Sequence, residues 1–361
     1  MNESYMAKGE LLASELGNRG PIRFDPDGSL ASDIVETYRE VGFYVFENFL
    51  SKTELSSLVA DLENVLDGAP VSRDATVDRH GRPVSGANKH FRYAKPLSDP
   101  HGGTDSSHGR YPAKMSEPKP PKNAPAEVIL TIGGCMELLH TSFLLYGHPQ
   151  LLKVAETING PDFTPFTDAL WIKQPGLGAS VSWHQDGTTH WDRSDLDGGT
   201  HGFNFMTQLY DTTSANALWV VPGTHHGGKI DIPDRMQKND GSDELPGAVP
   251  MLMKAGDTCI CNRQVLHGSF ANTSKNMRAT MVHGFHRRKS VLGVDGWNGH
   301  YDIDHVNQRC RLISLAIDAR ARSYTHEIPY VYEPLDHEKV EWSDETRQSI
   351  LEGYNRYDLG I

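Results

Sequence analysis

Trp183-His184-Gln185-Asp186 lies near the middle of the chain, at the end of a predicted strand. Residues two apart on a strand point the same way, so His184 and Asp186 are expected to project into one space, with Gln185 facing away. His267, much further along the chain, adds a second imidazole. Two imidazoles and one carboxylate occupy one face of an octahedral Fe(II) ion and leave positions open for other ligands. The sequence therefore predicts an iron site at His184, Asp186 and His267.

Arg278 opens a further predicted strand among apolar neighbours, which disfavours the alternative of a surface salt bridge. We expect this strand to be the antiparallel neighbour of the strand at 259–261, which His267 follows. A 2-oxo acid that chelates iron leaves a far carboxylate in need of a charge partner, and a guanidinium binds a carboxylate through two parallel hydrogen bonds. The hydroxyls of Ser269 and Thr280 share strand faces with His267 and Arg278. These residues predict a 2-oxo acid site beside the iron.

Composition limits the class of protein. The 361 residues are compatible with one large domain or two ordinary ones, and 37% hydrophobic and 23% charged residues are typical of a soluble globular protein. The net charge of −12 argues against a nucleic-acid partner, because phosphate binding needs a basic face. The apolar runs are too short for a membrane helix and residues 1–20 lack a signal-peptide core, so we expect a cytoplasmic protein without a membrane partner. The four cysteines are too few for a disulfide framework.

The second half of the chain has the pattern of a β-protein. Short runs of strand-forming residues alternate with turns such as Pro175-Gly176 and Pro222-Gly223. Strands are predicted at 42–46, 169–174, 180–184, 202–209, 217–221, 257–261 and 278–285. Many short strands without intervening helices indicate an antiparallel sandwich or jelly roll. Helices are predicted at 32–41, 134–146 and 148–158. Another predicted helix begins at a capping box formed by Ser51 and Glu54.

Two segments do not follow this pattern. Residues 68–125 are rich in Gly, Pro, His, Ser and charged residues, and so long a stretch without regular structure is usually either functional or disordered. We therefore expect either a mobile surface insertion or a lid over the site. The side chains suited to a lid are His90, Phe91, Arg92, Tyr93 and Lys95. The tail from about 290 to 361 has a mixed composition, in which Ser343 is suited to cap a last helix.

The sequence offers only a few candidates for residues that contact the substrate. His190 and Trp191 follow the His-x-Asp motif, where either a pocket mouth or a packed loop would suit them. Phe203 and Phe205 alternate on a predicted strand, so they either face the site or pack in the core. We take His190, Trp191 and Phe203 as the candidates for substrate binding.

Several stretches together carry a family resemblance. They are Gly42-Phe43-Tyr44-Val45-Phe46-Glu47-Asn48-Phe49-Leu50, His148-Pro149-Gln150-Leu151-Leu152, Trp183-His184-Gln185-Asp186, Ala217-Leu218-Trp219-Val220-Val221-Pro222-Gly223-Thr224-His225, His267-Gly268-Ser269 and Arg278-Ala279-Thr280. Over roughly residues 34–288 the chain resembles the phytanoyl-CoA dioxygenase family of Fe(II)/2-oxoglutarate oxygenases. The resemblance is weak within 68–125 and absent beyond about 290.

The resemblance implies a double-stranded β-helix flanked by helices, mainly β and cupin-like. It also implies His184, Asp186 and His267 as ligands of Fe(II), with Arg278 and Ser269 holding 2-oxoglutarate and Thr280 assisting. Halogenating relatives replace the carboxylate ligand with a small residue, and Asp186 is present, so a hydroxylation or a related oxidation is favoured. We expect residues 1–361 to form one oxygenase domain, with the insertion at about 68–125 and a C-terminal extension at about 290–361.

The expected reaction is hydroxylation, desaturation or epoxidation of a small organic molecule, such as a secondary metabolite or an amino-acid derivative. It consumes O2 and 2-oxoglutarate and releases succinate and CO2. The alternatives are an acyl-CoA hydroxylase of the same family, a cupin-type metal enzyme that does not use 2-oxoglutarate, and a non-catalytic binding protein on the same fold. The C-terminal extension would suit contact with a second copy of the chain, so a homodimer is a further expectation.

Overall fold

The structure is a computed structural model that describes residues 1–84, 89–191, 201–296, 299–336 and 340–354. Its strands, in chain order, are β1 (Arg19–Gly20), β2 (Phe43–Phe46), β3 (Phe91–Ala94), β4 (Val128–Gly133), β5 (Phe163–Lys173), β6 (Val181–His184), β7 (Phe203–Gln208), β8 (Trp219–Val221), β9 (Val249–Pro250), β10 (Thr258–Asn262), β11 (Leu266–Ser269), β12 (Arg278–Arg287), β13 (Asp295–Gly296) and β14 (Gly299–His300). All of the predicted strands are present in this set.

The strands form two main sheets. The larger has eight strands in the order β1-β2-β10-β7-β12-β5-β4-β3, and the smaller has four in the order β6-β11-β8-β9. Every pairing in them is antiparallel except that of β1 with β2. Strands β13 and β14 form a separate hairpin. Two antiparallel sheets flanked by helices confirm the predicted jelly-roll architecture.

Helices pack against both sheets. They are α1 (Glu3–Glu15), α2 (Ser32–Val41), α3 (Lys52–Asp67), α4 (Ser106–Gly109), α5 (Cys135–Leu138), α6 (His140–Tyr146), α7 (Pro149–Asn159), α8 (Ile232–Gln237), α9 (Arg288–Val291), α10 (Ile303–Ser323) and α11 (Asp344–Tyr354). The predicted capping box is present at α3, where the Glu54 amide donates to Ser51 Oγ and the Ser51 amide to the Glu54 carboxylate. The single helix predicted at 134–146 is wrong, because Leu139 has an extended backbone that separates α5 from α6.

Alternate residues of the larger sheet face two different apolar clusters, because successive side chains on a strand point to opposite faces. On one face, Phe203 and Phe205 of β7 pack in a core shared with the helices. On the other face, Met206 and Val282 pack with residues of the smaller sheet such as Val220. The space between the two sheets is therefore distinct from the helix-covered core.

The segment 68–125 contributes to the larger sheet. The expectation that it lacks regular structure is wrong at β3, which pairs with β4 at the edge of that sheet. Phe91 and Tyr93 are buried there and Arg92 is exposed, and the Tyr93 hydroxyl donates to the Pro70 carbonyl at 2.6 Å. Three of the residues suited to a lid thus belong to the sheet, and two of these are buried.

The C-terminal segment packs against the helical face. Helix α10 was not predicted from the sequence; it lies against β5 and α6 and buries Val306, Ile313 and Leu315. Ser343 caps α11 as predicted, since its hydroxyl accepts the Thr346 amide at 3.0 Å. Within the ranges that the structure describes, no helix has the length and apolar character needed to cross a membrane.

Candidate active site

His184 and His267 are directly opposite each other on the paired strands β6 and β11, with ring centroids 4.1 Å apart. Each imidazole donates from Nδ1 to a backbone carbonyl at 2.8 Å, that of Ser182 for His184 and that of Val265 for His267. A proton held on Nδ1 leaves the Nε2 lone pair for a metal ion. Burial lowers the pKa of both imidazoles, so both are neutral at neutral pH.

Asp186 lies two residues beyond the end of β6 and is held there by its backbone amide, which donates to the Arg263 carbonyl at 2.8 Å. Its Oδ1 lies 3.7 Å from His184 Nε2, and one ligand atom from each of His184, Asp186 and His267 lies within 4.8 Å of the others. Burial alone would raise the pKa of the Asp186 carboxyl, but Arg110 and Arg263 outweigh it and the pKa is lowered. The three predicted ligands therefore converge as two neutral imidazoles and one carboxylate, the facial triad.

Gln185 faces away from the triad, as the strand alternation predicts. Its Nε2 donates to the carbonyls of Gln264, at 2.7 Å, and Gly228, at 3.0 Å, and its Oε1 accepts the amide of Ile230 at 2.9 Å. These bonds tie the residue between His184 and Asp186 to two neighbouring loops. They fix the direction in which the two candidate ligands point.

Arg278 is a buried cation at the start of β12. Its Nη1 donates to the Asn216 carbonyl at 3.1 Å, and among the described residues no carboxylate lies within ion-pair distance of it. Burial lowers its pKa to about 10, so it stays charged at neutral pH. Arg278 Nε is a buried atom without a hydrogen-bond partner in the described part of the chain, and so is the Oγ of Ser269. A buried charge without a counter-ion is costly, so this arrangement suits an anionic ligand.

The expected neighbour relation of the Arg278 strand is wrong. Strand β12 lies between β5 and β7, and β7 separates it from β10. His267 is on β11, in the smaller sheet. Arg278 and the histidines therefore come from different sheets of the jelly roll, an arrangement that depends on how distant strands pair.

Thr280 shares the Arg278 face of β12, and its hydroxyl donates to Gln208 Oε1 at 3.0 Å. Gln208 lies directly opposite it on β7. The structure thus places Thr280 beside Arg278, as expected. Its hydroxyl donates to the side-chain amide of Gln208, a residue that the sequence analysis did not identify.

Lys173 was also missed by the sequence analysis. It ends β5 directly opposite Arg278, is only 2% exposed, and donates from Nζ to the carbonyls of Ala179, Phe270 (2.7 Å) and Ser269 (3.4 Å). Burial and then the charge of Arg278 lower its pKa. A lysine at the end of an apolar strand carries no sequence signal for this position.

Comparison with known proteins agrees with this geometry. Residues 38–280 match the model of the family described as phytanoyl-CoA dioxygenase (PhyH). The chain belongs to the phytanoyl-CoA dioxygenase family. This is a family of non-haem iron, 2-oxoglutarate-dependent dioxygenases, and the facial triad of such enzymes is present here.

Individual relatives of the family are distant in sequence. A phytanoyl-CoA dioxygenase of Arabidopsis thaliana is 24% identical over 287 residues, covering 75% of this chain and 94% of the relative. The L-proline trans-4-hydroxylase of Streptomyces griseoviridis is 24% identical over 185 residues, covering 45% of this chain and 69% of that enzyme. The crystal structure of EctD from S. alaskensis with 2-oxoglutarate and 5-hydroxyectoine has the same fold, with a TM-score of 0.51 and 17% identity over 75% of this chain and 81% of EctD.

The inserted segment of this family member brings two further residues to the triad. Arg110 Nη1 lies 3.2 Å from Asp186 Oδ1, and the Tyr111 ring lies 4.7 Å from the His184 ring. Both follow a turn, α4, in which Ser107 and His108 have left-handed φ angles of 59° and 56°. No periodicity marks this stretch, so the sequence offered no basis for choosing Arg110 or Tyr111.

Asp99 anchors the same segment to the metal strand. Its carboxylate accepts the Ser182 hydroxyl at 2.6 Å and the backbone amides of Gly102, at 3.1 Å, and Met115, at 2.8 Å. Ser182 is on β6, which carries His184. The position of Arg110 and Tyr111 is thus coupled to the strand that holds the triad.

The structure describes all three residues predicted to bind substrate. His190 is fully buried and its Nε2 donates to the Ser290 carbonyl at 2.8 Å, while the Trp191 ring contacts His201 at 5.2 Å. Phe203 lies in the helix-covered core, 5.0 Å from the Phe205 ring centroid, and does not line the space between the sheets.

Arg263 is a further residue that the sequence did not predict. Its Nε lies 3.6 Å from Asp186 Oδ2, its Nη1 contacts His286 Nε2, and its guanidinium lies 4.3 Å from the Phe166 ring centroid. Asp186 is therefore bordered by one guanidinium on each carboxylate oxygen.

Proposed function

We propose that the protein binds Fe(II) through His184, Asp186 and His267, and that it hydroxylates a small organic molecule with O2 and 2-oxoglutarate. The far carboxylate of 2-oxoglutarate would be held by Arg278 and Ser269, with Thr280 beside them. Desaturation and epoxidation are variants of the same proposal. Succinate and CO2 are the products released from the cosubstrate.

The proposal rests on two groups of buried polar atoms that the described part of the chain leaves without a hydrogen-bond partner. Both imidazoles have Nδ1 engaged and Nε2 directed at one point, which fits a divalent metal ion. Arg278 Nε and Ser269 Oγ are buried without a hydrogen-bond partner, which fits a carboxylate. The two features together favour a metal enzyme that binds 2-oxoglutarate over a cupin-type enzyme that binds the metal ion alone and over a binding protein without a metal ion.

Iron with 2-oxoglutarate supplies the activation of O2. The chain holds the three metal ligands in position and excludes water from the site. The backbone carbonyls of Ser182 and Val265 fix the imidazole tautomers, and the amide of Asp186 fixes the carboxylate through Arg263. All three ligand residues are buried, which keeps bulk water from the reacting atoms.

A small-molecule substrate is supported by the relatives. One is named as an L-proline trans-4-hydroxylase, and one structure of the same fold holds 5-hydroxyectoine. A secondary metabolite or an amino-acid derivative is the class that we favour. An acyl-CoA substrate is the alternative, favoured by the family's description and by the Arabidopsis relative.

The test is anaerobic reconstitution with Fe(II) followed by 2-oxoglutarate, with detection of the weak visible charge-transfer band of the chelate. We expect the band in the wild type, and its loss or a much greater need for 2-oxoglutarate in Arg278→Ala. Lys275→Ala is the matched control, since Lys275 is an exposed cation close to Arg278 in the chain. Bound iron without a band in the wild type would exclude the 2-oxoglutarate proposal.

A further inference from the structure

Arg110 contacts the triad, and neither the triad nor the 2-oxoglutarate residues explain why it is there. Its side chain is 10% exposed and that of Asp186 is 9% exposed, so the contact between them is formed away from bulk water. The oxygen it contacts, Asp186 Oδ1, is also the oxygen nearest to His184 Nε2. The guanidinium therefore reaches the atoms that would hold the metal ion.

The segment that carries Arg110 is built into the fold. Asp99 ties it to Ser182 of β6, the Gly103 amide donates to the Tyr111 carbonyl at 2.9 Å, and the Ser116 amide donates to Asp243 at 2.6 Å. Tyr111, next in the chain, is buried with its ring between His101 and His184. Arg110 is thus presented to the triad by a segment anchored on both sides of it.

A metal ion at the triad would weaken the contact between Arg110 and Asp186. Two positive charges that approach the same carboxylate oxygen repel each other, strongly so where the surroundings exclude water. A guanidinium has five N–H donors and binds carboxylates in a planar fork, so it can exchange Asp186 for an anionic ligand close by. The structure already shows this guanidinium bound to a carboxylate at the triad.

From this geometry we propose that Arg110 recognises a carboxylate of the substrate, and that the substrate is a free carboxylic acid held beside the iron. The inference rests on the proposed function and narrows its substrate class. Binding of the metal ion weakens the contact of Arg110 with Asp186, and the substrate carboxylate takes the place of Asp186 on the guanidinium. An acyl-CoA thioester lacks this group at its acyl end, so the inference also separates the two substrate classes.

The test uses the anaerobic complex with Fe(II) and 2-oxoglutarate and follows the shift of the charge-transfer band when a compound binds beside the iron. The probes are amino-acid, aryl and short-chain carboxylic acids, each matched with its primary amide and, where it can be made, its CoA thioester. The variants are Arg110→Gln and Arg110→Lys. Arg92→Gln is the control, because Arg92 is an exposed arginine of the same inserted segment.

We expect acids, and not their amides or thioesters, to shift the band in the wild type and in Arg92→Gln. Arg110→Gln should need roughly 10- to 100-fold more acid, as expected for loss of a charge-assisted hydrogen bond, and Arg110→Lys should recover part of this loss. The 2-oxoglutarate concentration that forms the band should be the same in all variants. Thermal unfolding of each variant shows that the fold is retained.

Three results would overturn the inference and leave the proposed function standing. The first is a band shift with amides or thioesters equal to that with the acids, and the second is no band shift with any acid of the panel. The third is an Arg110→Gln variant whose only defect is a greater need for 2-oxoglutarate, which would place Arg110 against the cosubstrate. Failure of the wild type to form the band at all is a different result, and it would contradict the proposed function itself.

Discussion

Lys173 and Arg278 lie directly opposite each other on β5 and β12, so two buried cations share one end of the space between the sheets. Burial lowers the pKa of Lys173, and the charge of Arg278 lowers it further. The Lys173 ammonium also binds the carbonyls of Ser269 and Phe270. The same lysine thus adds positive charge beside Arg278 and fixes the backbone that presents the Ser269 hydroxyl.

Lys173→Met should therefore impair 2-oxoglutarate binding more than iron binding. We expect roughly a tenfold rise in the 2-oxoglutarate concentration needed for half of the charge-transfer band, since one charge-assisted interaction is lost. Iron stoichiometry should be unchanged. Lys254→Met, at a side chain that is 78% exposed, is the control. Equal losses of iron and 2-oxoglutarate binding would assign Lys173 a purely structural role.

Asp186→Ala should abolish tight iron binding. The variant removes the only carboxylate of the triad, so the loss of affinity should exceed the roughly 10- to 100-fold caused by removing a hydrogen-bonding partner of a ligand. The measurement is iron content after equilibrium dialysis at several free-metal concentrations. Asp211→Ala, at a side chain that is 58% exposed, should bind iron as the wild type does. Full iron binding by Asp186→Ala would contradict the assigned ligand set.

Stability should fall as the pH is lowered, in part through His283. Burial lowers the pKa of His283 from 6.5 to about 3. Between these values the unfolded chain binds a proton that the folded chain does not. The free energy of unfolding of the metal-free protein should then fall by about 1.4 kcal/mol per pH unit for this group as the pH drops through that window.

His283→Gln should make this pH dependence shallower by about one proton. Urea unfolding at several pH values between about 4 and 7 measures the slope. The variant also alters the contact of the imidazole Nε2 with Ser142 Oγ, at 3.1 Å, so the slope is the informative quantity and the absolute stability is not. The exposed His326→Gln serves as the comparison, and an unchanged slope in His283→Gln would refute the assignment.

Arg320 should contribute strongly to the attachment of α10. Its guanidinium is 2% exposed and pairs with Glu54 of α3 at 2.8 Å and with Glu327 at 2.6 Å. Arg320→Met leaves both carboxylates without their cation, and removal of one partner from a buried pair costs about 3–5 kcal/mol. Thermal and urea unfolding measure the loss.

Arg322→Met is a matched control on the same helix. Arg322 pairs with Asp318 at 2.9 Å, but its side chain is 55% exposed, and exposed pairs contribute about 0–1 kcal/mol. Equal effects of the two substitutions would show that burial of the Arg320 pair is unimportant.

Much of the site could be predicted because its residues follow local rules. His184 and Asp186 flank a residue that faces away, and Arg278 and Thr280 alternate along one strand. Periodicity of this kind is a property of neighbouring residues, so it is visible in the order of the chain. The capping box of Ser51 and Glu54 was visible for the same reason.

Other features required the complete fold. Phe203 and Thr280 lie in neighbouring strands, yet one faces the helices and the other the space between the sheets. Alternation shows that a strand has two faces, but it does not say which face the helices cover. Leu139 interrupts a helical pattern through its backbone conformation alone, which its sequence neighbours did not indicate.

The sequence by itself determined the jelly roll and the identity of the triad, because strand periodicity and the chemistry of two imidazoles and a carboxylate are local properties. Only the tertiary structure decided that Arg278 approaches from the opposite sheet, that Lys173 lies beside it, and that Arg110 contacts Asp186. These three relationships join residues far apart in the chain. They depend on strand order and on an aperiodic segment anchored by Asp99, and no local pattern encodes either.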